Sequence, residues 1–312
     1  MKLIDRYKGC LLGLACGDAV GTTVEFREPG SFPPVTDMVG KGPFRLEAGQ
    51  WTDDMSMALC LAHSLVYKKG FDPVDQMNRY CNWQSCGYMS CNGKCFDIGI
   101  TVSKALDKYR ETGEPFSGSA DYNTAGNGSI MRLAPVPLFY YPDYVNVIHY
   151  SSQSSRTTHG ADECLDACKL LASIIFNAFS KDGADKEEIL FSHSFNDWKS
   201  EKIGFVATGN YRDEYGKGVK GSGYVVESLD AAMWCFQHTD NYRGAILKAA
   251  NLGDDADTTA AICGQIAGAY YGIEGIPESW LEKLAMREEI EALAEEIFSI
   301  AQSQEGEQVS EL

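Results

Sequence analysis

Helical periodicity runs through most of the chain, interrupted by short segments rich in Gly, Pro and Asn, and strands and helices do not alternate convincingly. Two of the helical stretches lack bulk on one side. Over residues 3–20, Gly9, Gly13, Gly17 and Gly21 recur every four residues, which places them on one face. In GDDADTTAAICGQIAGAYYG, from Gly253 to Gly272, the residues Ala260, Gly264, Gly268 and Gly272 form a matching stripe. Small residues at that spacing admit a second backbone at close range, at an entropic cost of up to about 1 kcal/mol per helical glycine.

Between these stripes, Thr52 caps a helix to about Tyr67 with Met57, Leu61 and Leu65 on one face. Further helices are expected over 73–86 and from Phe96-Asp97-Ile98-Gly99 to about Arg110. Pro135 and Pro137 break the apolar 131–150 segment into short turns or helices. An amphipathic helix spans 158–179 behind His159, and a weaker one spans 185–198. Residues 27–50, 87–96 and 112–130 read as loop, and the 203–223 stretch is glycine-rich with no helix assigned to it. Tyr224 opens a helix in which Val226, Leu229, Met233 and Phe236 share a face, and Asn241 to Leu252 is helical too. The last helix is expected over 278–302, followed by an acidic, frayed tail over 303–312. The expected architecture is all-α: one compact orthogonal helical bundle over 1–302, without tandem repeats, its loops gathered at one end.

Both ends of this pattern carry acid. Asp254, Asp255, Asp257, Thr258 and Thr259 open the second glycine helix, and GQWTDDMSMALCL puts Thr52, Asp53 and Asp54 at the mouth of another apolar helix. One account is helix capping and complementation of the macrodipole. Capping needs one side-chain oxygen per helix and leaves the surplus carboxylates unexplained. The other account has the two mouths facing each other and sharing cations. Thr52, Asp53, Asp54, Asp255, Asp257 and Thr258, with Glu25 nearby, are all oxygen donors, a set that suits Mg²⁺ or Mn²⁺ over Zn²⁺ or Cu²⁺. Four to five carboxylates would overcharge one ion, so two ions about 4 Å apart are expected in a cleft at one end of the bundle. Such a pair binds a water, lowers its pKa and fixes substrate hydroxyls.

The 312 residues are 44% hydrophobic, enough for one large domain, and carry a formal charge of −17 that disfavours general nucleic-acid or membrane-surface binding. Eleven cysteines, an odd number spread through helical patterns, suit reduced thiols in the cytoplasm better than a disulfide scaffold. Cys81, Cys86, Cys91 and Cys95 lack the spacing of a structural zinc knuckle and read as surface thiols. The basic, apolar N-terminus imitates a signal peptide, but Asp5 interrupts it and its apolar run of about nine residues is short for a membrane span. It reads as a buried first helix.

The stretches GCLLGLACGDAVGTTVEF, GQWTDDMSMAL, GKCFDIGITV, TAGNGSIMRLAP, SSRTTHGADE, GSGYVVESLDAAMW and GDDADTTAAICGQIAGAYYG, in this order, resemble the ADP-ribosylglycohydrolase family, whose type member reactivates dinitrogenase reductase. The resemblance spans Gly9 to Gly272, and the pairing of TDDM with DDADT is its specific part. It implies an all-helical fold, a two-metal Mg²⁺ or Mn²⁺ centre, and hydrolysis of the bond between ADP-ribose and an acceptor. Thr52, Asp53 and Asp54 then match ligands on one side of the metals, and Asp255, Asp257 and Thr258 those on the other. Asp254 stands where the family motif commonly has glycine and is left out of the ligand set.

The resemblance also implies roles for single residues, each with a plainer alternative. Glu25 matches a base or orienter of the metal-held water; otherwise it is a solvated loop carboxylate. Asp97 matches an aspartate that meets the ribose; otherwise it caps a helix. Gly99 lies beside it in the substrate-contacting set. Asn127, Gly128, Ser129 and Met131 belong to a loop whose backbone N–H groups suit phosphate; otherwise the loop is an ordinary turn. His159 meets the diphosphate or its ribose, or is a structural hydrogen-bonder. Tyr224 packs on ribose or adenine, or in the core. The expected activity is cleavage of ADP-ribosyl-arginine on protein by a monomer. Serine, nucleic-acid and small-molecule ADP-ribosides are the alternatives, together with a two-metal phosphoesterase and a catalytically silent ADP-ribose-binding or structural relative.

Overall fold

The polar interruptions separate fifteen α-helices, and no strand forms among the described residues. The computed structural model describes residues 1–216 and 218–310, with side chains through Ser303. In order the helices are α1 (Leu3–Gly21), α2 (Asp53–Lys68), α3 (Pro73–Cys86), α4 (Ile100–Thr112), α5 (Pro135–Tyr140), α6 (Tyr144–Arg156), α7 (Asp162–Ser180) and α8 (Lys186–Phe191). They continue as α9 (Glu201–Ala207), α10 (Tyr211–Tyr215), α11 (Val225–Gln237), α12 (Tyr242–Ala250), α13 (Ala256–Tyr271), α14 (Glu278–Leu281) and α15 (Arg287–Ser310).

The two glycine stripes pack on each other. A Cβ on Gly13 would fall on the carbonyl oxygen of Gly264, one on Gly264 would fall on that of Gly13, and Gly9 and Gly268 stand in the same relation. Gly17 meets Ala260 and Gly21 meets Ala256, so α1 and α13 run antiparallel with their backbones touching. This is the most extensive helix pair in the molecule, and α7, α11 and α12 pack around α13, whose residues from Ala256 to Ala269 are all buried. The antiparallel contact sets the C-terminal end of α1 beside the N-terminal end of α13. That geometry builds the site.

Two departures from the sequence reading have local causes. The 203–223 stretch contains most of α9 and all of α10: Ser200 caps α9 through the N–H of Ile203 (3.3 Å), and Ile203, Val206 and Ala207 are buried, so packing overrides Gly204, while Gly209 (φ 75°) lies in the turn between the two helices. The expected 278–302 helix is broken. Met286 takes a left-handed φ of 54°, the Ala285 N–H donates to the Gly49 carbonyl (2.9 Å), and Trp51 Nε1 donates to the Ala285 carbonyl (3.2 Å). The break clamps the segment that enters α2. The backbone of α15 runs past residue 302 to Ser310, and the rest of the expected tail, residues 311 and 312, lies outside the described residues. All eleven cysteines are free, and no described helix is long and apolar enough to cross a membrane.

Candidate active site

Three helix ends meet where α1 finishes and α2 and α13 begin. Asp18, fully buried on α1, receives the Thr52 N–H on both carboxylate oxygens (2.9 and 3.0 Å), the Thr52 hydroxyl (2.9 Å) and the Met55 N–H (3.1 Å). An acid from another helix therefore satisfies the first turn of α2. Neither Thr52 nor Asp255 makes a side-chain cap bond, so capping does not account for the acidic mouths. Instead they face each other. Thr52 Oγ1 lies 3.2 Å from Asp257 Oδ2, and Thr258 Oγ1 donates to Asp54 Oδ2 at 3.3 Å.

Loop carboxylates close the cluster. Glu25, Asp97 and Asp257 each offer an oxygen within 4.8 Å of the other two, the one such group of metal-ligating side chains among the described residues. The backbone around them is held in unfavourable conformations. Phe26 (φ 61°), Asp97 (φ 61°) and Asp254 (φ 58°) are left-handed at non-glycine positions, each at a cost of roughly 1–2 kcal/mol. A reciprocal pair, Phe26 N–H to the Asp254 carbonyl and Asp254 N–H to the Arg27 carbonyl, both 2.7 Å, ties the Glu25 loop to the start of α13. The left-handed turn also explains why a glycine suits position 254, where Asp254 is exposed.

Burial first, and mutual repulsion second, raise the carboxyls: Asp97 and Asp257 are pushed up to about 7, and Glu25, Asp53, Asp54 and Asp255 are held well above the usual carboxylate range. Asp18 is likewise raised to about 7 by burial, against the lowering effect of its bonds to Thr52 and Met55. Asp54 Oδ1 and Asp257 Oδ1 are buried without a hydrogen-bond partner. A divalent cation satisfies both conditions, and the all-oxygen donor set fits a hard one.

The cluster forms the floor of a cavity of about 440 Å³. Glu25, Asp53, Asp97, Asp255, Asp257 and Thr258 line it, with Gly99, Asn127, Gly128, Met131 and His159 on the remaining wall. Thr52 and Asp54 sit just behind, bonded to lining residues. Asn127 spans the two halves, donating to Asp255 Oδ2 (2.8 Å) and Ser228 Oγ (3.2 Å), so its side chain braces a carboxylate.

Two of the expected residues are not brought in. Ser129 is buried behind the loop, accepting from Cys168 Sγ (3.5 Å). The Tyr224 hydroxyl donates to Glu163 Oε1 and accepts from Lys202 Nζ, both 2.7 Å, and its ring is absent from the cavity wall. The backbone beside it holds the loop instead: Asn127 N–H donates to the Gly223 carbonyl (3.1 Å) and Val225 N–H to the Ala125 carbonyl (3.0 Å).

The family model described as ADP-ribosylglycohydrolase matches residues 1–307. The chain belongs to the ADP-ribosylglycohydrolase family. It is 45% identical over 300 residues to an ADP-ribosylarginine hydrolase Tri1 of Pseudomonas putida (strain GB-1), covering 96% of this chain and 80% of that protein. It is 31% identical to the ADP-ribosyl-[dinitrogen reductase] glycohydrolase of Rhodospirillum rubrum, covering 92% of each. A solved structure titled ADP-ribosylglycohydrolase-related protein complex superposes with a TM-score of 0.83 at 41% identity, over 96% of this chain and 99% of that one. The resemblance read from the motifs is borne out, and so is the all-α fold.

Within this member of the family, sequence reading passed over Asp18, Arg132 and Thr158. Asp18 had a signal: a charged residue in the middle of an otherwise apolar, small-residue stretch of α1. Arg132 and Thr158 lay inside the motifs TAGNGSIMR and SSRTTHG, but nothing in the residue pattern says that they touch.

Proposed function

We propose that this chain hydrolyses the bond between ADP-ribose and arginine on modified protein, using two Mg²⁺ or Mn²⁺ ions. Thr52, Asp53, Asp54, Asp255, Asp257 and Thr258 are the residues assigned to hold them. The observation that carries the reading is the meeting of two acidic helix mouths, with Asp54 Oδ1 and Asp257 Oδ1 orphaned between them, in a family member whose relatives in Pseudomonas putida and Serratia proteamaculans are ADP-ribosylarginine hydrolases. Bound there, the cations supply Lewis acidity to a water and to a ribose diol.

The remaining roles fall to the chain. Glu25 takes the proton of the attacking water, and Asp97 exchanges a proton with the ribose, a division of labour analogous to that of ordinary glycosidases. Asn127 fixes Asp255. Of the loop proposed for phosphate, the Gly128 backbone, with His159, receives the diphosphate, since the Asn127 N–H is committed to the Gly223 carbonyl. The reading goes with a monomer in a reducing, cytoplasmic setting and with one catalytic domain over 1–302.

The test is incubation with arginine-, serine- and DNA-linked ADP-ribose, with Mg²⁺, Mn²⁺ or chelator. Free ADP-ribose and unmodified arginine are expected from the first substrate with metal only. AMP and ribose phosphate would identify a phosphoesterase, and ADP-ribose binding without turnover a silent relative.

A further inference from the structure

The cavity wall that faces the carboxylates hides a cation no acid balances. Arg132 is fully buried and, among the described residues, pairs with no carboxylate. Its Nη1 donates to the Gly128 carbonyl (2.9 Å) and meets Met57 Sδ (3.7 Å), its Nη2 donates to Thr158 Oγ1 (2.7 Å), and its guanidinium lies 4.6 Å from the Tyr80 ring centroid. Its Nε has no partner. A guanidinium in that setting is costly to keep, which asks what its charge and its fork of donors achieve.

Arginine has no acceptor, so Thr158 Oγ1 accepts from Arg132 and retains a single proton to donate. The remaining partner of that hydroxyl is His159 Nδ1 at 2.9 Å. Nδ1 is therefore the acceptor, and the ring proton sits on Nε2. In the opposite tautomer Nδ1–H would donate to Thr158, whose own proton would then have no acceptor among the described residues.

The ring packs against the glycine loop. A Cβ on Gly128 would come within 2.8 Å of Cε1 and 3.1 Å of Nε2, and one on Gly126 within 3.6 Å of Nε2. Nε2 has no protein partner among the described residues, and His159 lines the cavity.

We infer that Arg132 and Thr158 are positioning residues that lock His159 as a neutral Nε2–H donor for an anionic oxygen, a phosphate of ADP-ribose under the function proposed above. The same guanidinium fixes the Gly128 carbonyl, so one buried cation sets both the loop and the imidazole and counters the field of the acids across the cavity. Burial, then Arg132, lower His159 to about 3, in keeping with a neutral ring.

The test is ¹⁵N NMR of the imidazoles in the metal-loaded full chain, with His159 assigned by its loss in His159→Gln. At pH 7 a pyridine-type Nδ1 and a protonated Nε2 are expected. Thr158→Val should release the tautomer and weaken ADP-ribose binding roughly tenfold by calorimetry, and Thr158→Ser should restore both. A wild-type His159 protonated at Nδ1 overturns the relay, as does a folded Thr158→Val protein with tautomer and affinity unchanged. The wild-type spectrum decides the tautomer even where Thr158→Val fails to fold. The expected tautomer in a protein that binds neither ADP-ribose nor pyrophosphate overturns the ligand assignment and the proposed function together. ADP-ribose binding with the wrong tautomer overturns the relay alone.

Discussion

Thr52 and Asp257 are 205 residues apart in sequence and bring Oγ1 and Oδ2 to 3.2 Å. That proximity follows from the backbone contact of α1 and α13, since Asp18 on the end of α1 fixes Thr52 and the neighbouring start of α13 carries Asp257. The fold thus gathers acids that repel one another, and the chain's stability should register the strain.

The metal-free protein should lose stability as pH rises. Asp18, Asp97 and Asp257 titrate near 7 in the folded state, mainly because burial penalises their charge, whereas an unfolded aspartate titrates near 3.9. The folded state therefore binds more protons between these values, so the contribution is fully present below about pH 4 and lost as pH rises through about 7. In chelator the melting temperature should fall by about 5 °C or more from pH 5 to pH 8. Added Mg²⁺ or Mn²⁺ should raise it more at pH 8 than at pH 5, and a flat profile in chelator would contradict the crowding of these carboxyls.

Asp257→Asn should separate stability from function. The substitution removes a fully buried carboxyl whose Oδ1 has no partner, so the metal-free protein at pH 8 should gain on the order of 1 kcal/mol. Hydrolysis of ADP-ribosyl-arginine should drop at least ~10³-fold. Unchanged turnover would remove Asp257 from the machinery.

Gly264→Ala should reverse the usual sign of a helix substitution. Alanine improves propensity by up to about 1 kcal/mol in an open helix, but here its Cβ would strike the Gly13 carbonyl, and backbone cannot move aside as a side chain can. A loss of roughly 3 kcal/mol or more is expected in urea unfolding. A neutral outcome would contradict the direct backbone contact of α1 and α13.

Asp18→Asn tests a residue that touches no substrate. The carboxamide keeps the shape but has one acceptor oxygen where the carboxylate used two to receive Thr52 N–H, the Thr52 hydroxyl and Met55 N–H. Apparent metal affinity should fall roughly 10–100-fold, with activity recovered in part at higher metal. Loss of activity at every metal concentration would instead point to a direct role.

The glycine stripes made the α1–α13 contact legible because close approach has one cheap chemical solution, and the surplus of acid over what capping needs made the buried acidic cluster legible. Local pattern reached further where a helix had its own cap: Pro73 to Cys86 begins after Asp72, which accepts the Val74 and Asp75 N–H groups. It failed where tertiary bonds decide. The break before Arg287 exists because Ala285 is tied to Gly49 and Trp51, partners more than two hundred residues away. Spacing could not choose between ligand and core packing for Tyr224, because the bonds that hold its hydroxyl come from Glu163 and Lys202, far from it in sequence.

Gly99→Ala addresses the substrate wall without disturbing the fold. Gly99 precedes α4 with φ −63° and ψ 147°, a conformation any residue adopts, and no atom lies within 4 Å of where its Cβ would stand. Losing a glycine from the unfolded ensemble should even stabilise the chain by about 0.5 kcal/mol. The new methyl would sit on the wall of a cavity that Gly99 lines, where the ligand's atoms must pass or rest. Ground-state binding should suffer and chemistry should not, so KM for ADP-ribosyl-arginine should rise about 3–10-fold with kcat within about twofold. A melting temperature that falls would mean the position is packed after all, and an unchanged KM would place the substrate on the far side of the cavity, against His159 alone.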